Sequence, residues 1–182
     1  MKKLYAIAFA VVLALGAGLF YFWKYYGVQI KGNQVSPLAL LDQMEDVGVP
    51  GFSSQTLEGQ PFVLTHKEGQ KIILNFWASW CEPCVEEFPS MINLVKQTNG
   101  RVRIVFVSAD YTREEIDGFL KNFPDIKTDG ISVIWDKEGS IRKLYGVEKL
   151  PETFVIGSDG KLLRKIVGTM NWLTPESLEF FK

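Results

Sequence analysis

Lys71-Ile72-Ile73-Leu74-Asn75-Phe76 runs through Trp77-Ala78-Ser79-Trp80 into Cys81-Glu82-Pro83-Cys84, and this stretch decides the fold. Its first six residues form a near-continuous apolar run, the pattern of a strand covered on both faces. From Glu82 to about Gln97 the period changes. Phe88, Met91, Ile92 and Val95 then share one helical face, and Asn99-Gly100 is a stop. The two cysteines of the chain thus stand where a buried strand hands over to a helix. Both lie within one turn, so neither can staple distant parts of the fold. Such a pair can close a local disulfide or grip half a metal site.

Outward from this centre, strand and helix patterns alternate. A second buried strand is expected over 102–107. A helix should follow Thr112, with Ile116, Phe119, Leu120 and Phe123 at helical spacing and an end before Pro124. A short strand over 131–135 and a short helix over 140–145 come next. Strands over 153–156 and 162–167 flank Gly157-Ser158-Asp159-Gly160, a hairpin signal. Thr174-Pro175 opens a last helix, and upstream 61–65 reads as a strand after the Glu58-Gly59 turn. Parallel βαβ units followed by an antiparallel hairpin predict an α/β fold with a mixed central sheet and helices on both faces.

The N-terminus reads differently. Residues 4–23 carry no charged side chain, and twenty residues of helix rise about 30 Å, the thickness of a bilayer's hydrocarbon core. Tyr21, Trp23, Tyr25 and Tyr26 cluster at the far end, where amphipathic rings favour the interface. Lys2 and Lys3 flank the near end, which favours an N-terminus in the cytoplasm and the remainder outside. The apolar run continues past the small-residue sites Ala14-Leu15-Gly16 and Gly16-Ala17-Gly18 and is longer than a usual signal core. An uncleaved anchor is therefore the expectation, with a cleaved signal peptide as the alternative. The organisation expected is an anchor over 1–24, a tether over 25–47 and a globular domain over 48–182, beginning near Gly48-Val49-Pro50-Gly51. Within the tether, Ser36-Pro37 resembles a cap and first helical residue, with Leu38, Leu41 and Met44 on one side.

Composition narrows the function. With 182 residues, 47% hydrophobic content and a net charge of -1, the chain suits one domain plus an appendage and gives no electrostatic reason to expect nucleic acid. Its single histidine, His66, has no companion at ligand spacing, which excludes a His-rich metal site. Cys81 at the head of the expected helix meets unsatisfied N–H groups and the helix dipole, which favour a thiolate. Cys84, one turn inside, should be buried and act second.

The segment 75–84, with Glu86-Glu87-Phe88-Pro89 after it, resembles the active site of thioredoxin-fold proteins. More narrowly it resembles their membrane-tethered thiol–disulfide oxidoreductases of the cytochrome c maturation type. The resemblance covers about 48–174 and extends through Leu150-Pro151-Glu152-Thr153-Phe154-Val155-Ile156 and Asp159-Gly160-Lys161. It implies that 112–135 contains the helix and strand this branch inserts into the basic fold. It also implies a redox-active disulfide between Cys81 and Cys84, with Glu82 and Pro83 as the intervening motif and no other cofactor or metal. Pro151 matches the family's cis-proline, which faces the disulfide and binds extended substrate. Leu150 beside it would contact the active site, and Trp80 would shield Cys81 and touch substrate. Pro89 would kink the helix.

One position departs from ordinary thioredoxins. Where those carry a buried acid six residues before the first cysteine, this chain has Asn75, which cannot transfer a proton at neutral pH. Glu87, three after Cys84, falls on the same helical face one turn along. The resemblance implies that it lies near the cysteines and influences their ionisation, and the role expected of it is to assist deprotonation of Cys84 during resolution. An ordinary solvated helix glutamate is the alternative.

By resemblance, the chain reduces disulfides outside the cytoplasm, with apocytochrome c as protein substrate and a transmembrane thiol carrier as electron donor. Copper-centre cysteines or other envelope proteins are alternative substrates. A copper-binding metallochaperone is a different class of reading. It is weaker because no His or Met clusters with the cysteines in the motif. A peroxiredoxin-type peroxidase is disfavoured because Ser79-Trp80, not a Thr-x-x-Cys setting, precede Cys81.

Overall fold

The structure is a computed structural model that describes Gly16 and residues 36–181. The span expected over 4–23 lies outside these apart from Gly16. Among the described residues, no helix is long and apolar enough to cross a membrane.

Helix α1 (Pro37–Asp46) leads into two short antiparallel strands, β1 (Ser53–Gln55) and β2 (Pro61–Val63). Strand β3 (Lys71–Trp77) then delivers the chain to α2 (Glu82–Gln97). Strand β4 (Val102–Ser108), helix α3 (Arg113–Leu120), a 3-10 turn (Pro124–Lys127) and β5 (Ile131–Trp135) follow. The chain continues through α4 (Ser140–Leu144), β6 (Glu152–Ile156), β7 (Leu162–Val167) and α5 (Pro175–Phe180).

Among the described residues the main sheet has the order β5-β4-β3-β6-β7, with β3 at its centre. Strand β3 is parallel to β4 and antiparallel to β6, and β4 is parallel to β5, which makes the sheet mixed as expected. Successive β3 side chains go to opposite faces. Ile73 and Trp77 join Phe88, Met91, Ile92, Val95 and Trp172 in one core, while Leu74 and Phe76 join Tyr145, Phe154 and Met44 in the other. Burial on both faces is why the strand reads as a near-continuous apolar run.

Local chemistry sets the ends of the elements. Thr112 and Glu115 form a reciprocal capping box on α3. The helical spacing of apolar residues runs on to Phe123, but α3 stops at Leu120. Pro124 bars its predecessor from helical geometry and opens the 3-10 turn instead. In α1 the expected side packs at Leu41 and Met44 but not at Leu38. Met44 is fully buried and Leu40 and Leu41 pack behind it, whereas Leu38 is 74% exposed. Gly160 closes the β6–β7 turn at φ +82, and a Cβ there would meet the His66 ring at 2.8 Å.

Tyr145 fastens the start of the domain. Its buried hydroxyl donates to the Pro50 carbonyl at 2.7 Å, and burial raises the phenol's pKa, so the donor persists at neutral pH. Tyr145→Phe keeps the ring contacts with Phe76, Phe154 and Phe52 but strands that carbonyl. Chemical denaturation should show a loss of about 1–2 kcal/mol.

Candidate active site

The Trp77–Glu82 connection places the cysteines. Cys81 is the N-cap of α2, and its Sγ accepts from the Cys84 N–H at 3.3 Å. Pro83 occupies the first turn, where a missing N–H removes no helical bond. Cys81 and Cys84 are joined as a disulfide with Cα atoms 5.3 Å apart. Both sulfur-bearing residues are buried, Cys84 more completely. Glu82 and Pro83, between them, face solvent.

Asp110 braces the loop ahead of the disulfide. It accepts from the Ser79 N–H at 2.9 Å, the Ser79 hydroxyl at 2.5 Å and the Ser108 hydroxyl at 2.7 Å. Its own carbonyl accepts from the Trp135 indole N–H, which ties β5 to the same corner. Trp80 is 52% exposed and stacks on Tyr111, 76% exposed, at 5.9 Å between ring centroids. An open aromatic pair therefore stands next to Cys81. Trp77 is core, not surface: it is fully buried against Phe88 and Phe119.

The Leu150–Pro151 peptide bond is cis. Leu150 packs against the core that contains both cysteines, and the Pro151 carbonyl accepts from the Gly168 N–H at 2.9 Å. Just beyond, buried Glu152 pairs with Lys165 of β7 at 2.9 Å and accepts from the N–H groups of Glu148 and Lys149.

Glu87 is not a solvated helix glutamate: it is 4% exposed. Its Oε1 accepts from Asn75 Nδ2 at 3.0 Å. Its Oε2 accepts from the Met170 N–H and from the Trp172 indole N–H, both at 3.3 Å. Asn75 donates in addition to the Thr153 hydroxyl across the β3–β6 pair. Burial raises the carboxyl pKa above the usual 4.5, and the donors from Trp172, Met170 and Asn75 pull it back without cancelling the rise. The residue also lines an open cleft of about 450 Å³, with Glu86, Pro89, Ser90, Asn93 and Met170, so the buried acid has a path to water. Helix α2 runs on through Pro89, where the Ser90 hydroxyl donates to the Glu87 carbonyl.

The sign of the pH effect on stability follows. Between 4.5 and its raised folded value, Glu87 holds a proton in the folded chain that the unfolded chain has lost. Stability from this group is complete below 4.5 and declines as pH rises through the folded pKa. Denaturation midpoints followed from acid to neutral pH should therefore fall more steeply for the native chain than for Glu87→Gln.

Sequence reasoning placed Cys81, Cys84 and Glu87 on one helix but missed Trp172, Met170, Asp110 and Tyr111. Of these, Asp110 carried a signal in the sequence, an acid directly after a buried strand.

A thioredoxin-like sheet that carries a closed C-x-x-C disulfide at the head of the helix after its central strand defines a thiol–disulfide oxidoreductase. Residues 44–179 match the Redoxin family, and the chain belongs to it. Thiol-disulfide oxidoreductase ResA of Bacillus thuringiensis subsp. konkukian is 34% identical over 182 residues, spanning 98% of this chain and 95% of that one. ResA of Bacillus subtilis is 34% identical over 131 residues, 69% of each chain. The crystal structure of StoA from Bacillus subtilis matches with a TM-score of 0.59 at 26% identity, over 72% of this chain and 96% of that one. The protein is a ResA-like thiol–disulfide oxidoreductase.

Proposed function

We propose that the chain is a membrane-tethered reductant outside the cytoplasm that opens disulfides in protein substrates, with apocytochrome c as its target. The observation that supports this most is the Cys81–Cys84 pair at the head of α2 with buried Glu87 one turn below. In the reduced enzyme the Cys81 thiolate, favoured by the Cys84 N–H and the helix dipole, attacks one sulfur of the substrate disulfide. That S–S bond breaks, one substrate thiolate leaves, and a mixed disulfide forms on Cys81. Cys84 gives its proton to the Glu87 carboxylate and attacks Cys81 Sγ, releasing the second substrate thiolate. Two electrons pass to the substrate and the enzyme disulfide closes.

Trp80, with Tyr111, and the Leu150–Pro151 corner bind the substrate. Pro151 has no N–H to give and its carbonyl is engaged by Gly168, so backbone pairing with an extended substrate falls to Leu150. The anchor over 1–24 and the tether after it hold the domain at the periplasmic face of the cytoplasmic membrane. There an oxidising compartment requires a transmembrane thiol donor to recharge Cys81–Cys84. Residues 112–135 supply the helix and strand inserted in this branch of the fold. Haem-attachment cysteines must be free thiols, which is why an apocytochrome needs such a reductant.

Expression of Cys84→Ser in the native host, with identification of proteins held on Cys81, tests the substrate. Apocytochrome adducts support the proposal. Adducts confined to copper-centre or other envelope proteins would move the assignment to those substrates. Copper retention by the native chain without disulfide exchange would move it to a metallochaperone.

A further inference from the structure

The hydrogen bonds around Glu87 are asymmetric. Oε2 faces the Met170 backbone N–H and the Trp172 indole N–H, and neither group can accept a hydrogen bond. A proton on Oε2 would meet two donors. Oε1 faces Asn75, whose amide has a donor end and an acceptor end. The donor end is engaged twice, by Glu87 and by Thr153, while buried Asn75 Oδ1 has no hydrogen-bond partner among the described residues. An unsatisfied buried acceptor costs about 1–3 kcal/mol, so its retention beside an acid calls for a reason.

We propose that Glu87 takes its proton on Oε1 and that Asn75 is a positioning residue whose amide turns over to receive it, with Met170 and Trp172 holding Oε2 in place. With Nδ2 toward Glu87, Asn75 serves the carboxylate. Turned about its last side-chain bond, Oδ1 accepts from Glu87 Oε1–H and from the Thr153 hydroxyl, which can donate as well as accept. The exchange strands Nδ2 where Oδ1 now lies, a penalty that opposes burial and favours release of the proton into the cleft. Asn75 moves no proton itself; it matches the acid in both of its states. This proposal rests on the reading of Glu87 as proton acceptor for Cys84.

Among the described residues no charged side chain hydrogen-bonds to Glu87. Asn75 comes from β3, Thr153 from β6, and Met170 and Trp172 from the segment after β7. Glu86 is exposed and lines the same cleft, and Arg164 of β7 and Glu176 of α5 line a second cavity together with Trp172. Glu152 is engaged by Lys165. Helix α2 itself carries exposed Glu82 and Glu86, Lys96 in its last turn paired with Asp125, and the Cys81 and Cys84 thiols of the reduced form at its head.

The test is an NMR titration of the full chain carrying 13C in Glu carboxyls and 15N in Asn side-chain amides, in oxidised and reduced forms. Glu87→Gln and Asn75→Ala identify the two signals by their disappearance. The expected result is an Asn75 amide signal that shifts with the same midpoint as the Glu87 carboxyl. In Trp172→Phe, which keeps a ring but removes a donor to the anion, both midpoints should move up together. An Asn75 signal that stays fixed while Glu87 titrates would overturn the proposal, and so would a Trp172→Phe midpoint that does not move. Failure of the underlying reading looks different: Glu87→Gln would resolve mixed disulfides at the native rate while the two signals still titrated together.

Discussion

Cys81→Ser should reduce protein disulfides no faster than the uncatalysed background, while its melting transition stays close to that of the reduced native chain. The hydroxyl replaces the only sulfur placed at the N-cap of α2, where the Cys84 N–H and the helix dipole favour an anion. Cys84 cannot take over, because it is buried within the helix. Insulin reduction by the full chain with a dithiol donor measures the loss. Residual turnover near the native rate in Cys81→Ser would mean that the attacking sulfur has been assigned to the wrong cysteine.

Glu87→Gln should slow resolution of the mixed disulfide by roughly 10²-fold at neutral pH, the low end of what a positioned base contributes. The first attack by Cys81 should be little affected. The two steps separate in rapid-quench kinetics as normal formation and slow decay of the Cys81 adduct. The native resolution rate should rise with pH as Glu87 loses its proton, over a range displaced upward by burial. In Glu87→Gln that limb should disappear. A structural role alone would lower stability and leave the pH profile of the resolution step in place. An unchanged profile in Glu87→Gln would therefore remove the residue from the chemistry.

Much of the fold was legible because its central elements carry strong patterns. The 71–76 run, the helical face of Phe88, Met91, Ile92 and Val95, and the Gly157–Gly160 turn each point to one element, and each forms where expected. Strand β1 was not legible: Ser53-Ser54-Gln55 has no apolar alternation, and it forms only because β2 pairs with it. In α1, Leu41 and Met44 pack as expected and Leu38 does not, because a ten-residue helix with apolar residues at 38–41 and 44 can be rotated to present either Leu38 or Leu40. Its partners, which the helix alone does not reveal, decided for Leu40.

The site divides in the same way. Cys81, Cys84 and Glu87 share one helix, so spacing alone brings them together. The donors that hold Glu87 come from elsewhere, with Trp172 85 positions away and Asn75 on the neighbouring strand. Asn75 was noticed for the acid it lacks. The structure gives that position another use, since an amide there donates to the acid on α2, where a second carboxylate would repel it. The Trp80–Tyr111 pair was half legible, because Trp80 adjoins the motif while Tyr111 reaches it only through the β4–α3 corner.

The central claim is that Cys81 attacks and Cys84 resolves. A single-turnover reaction of the reduced full chain with a protein disulfide, quenched by alkylation and mapped by mass spectrometry, tests it most directly. The account predicts a transient adduct on Cys81 with Cys84 still alkylatable, then a closed Cys81–Cys84 bond and one substrate disulfide reduced per chain. An adduct on Cys84, or a Cys81–Cys84 bond that closes without reduction of the substrate, would contradict it.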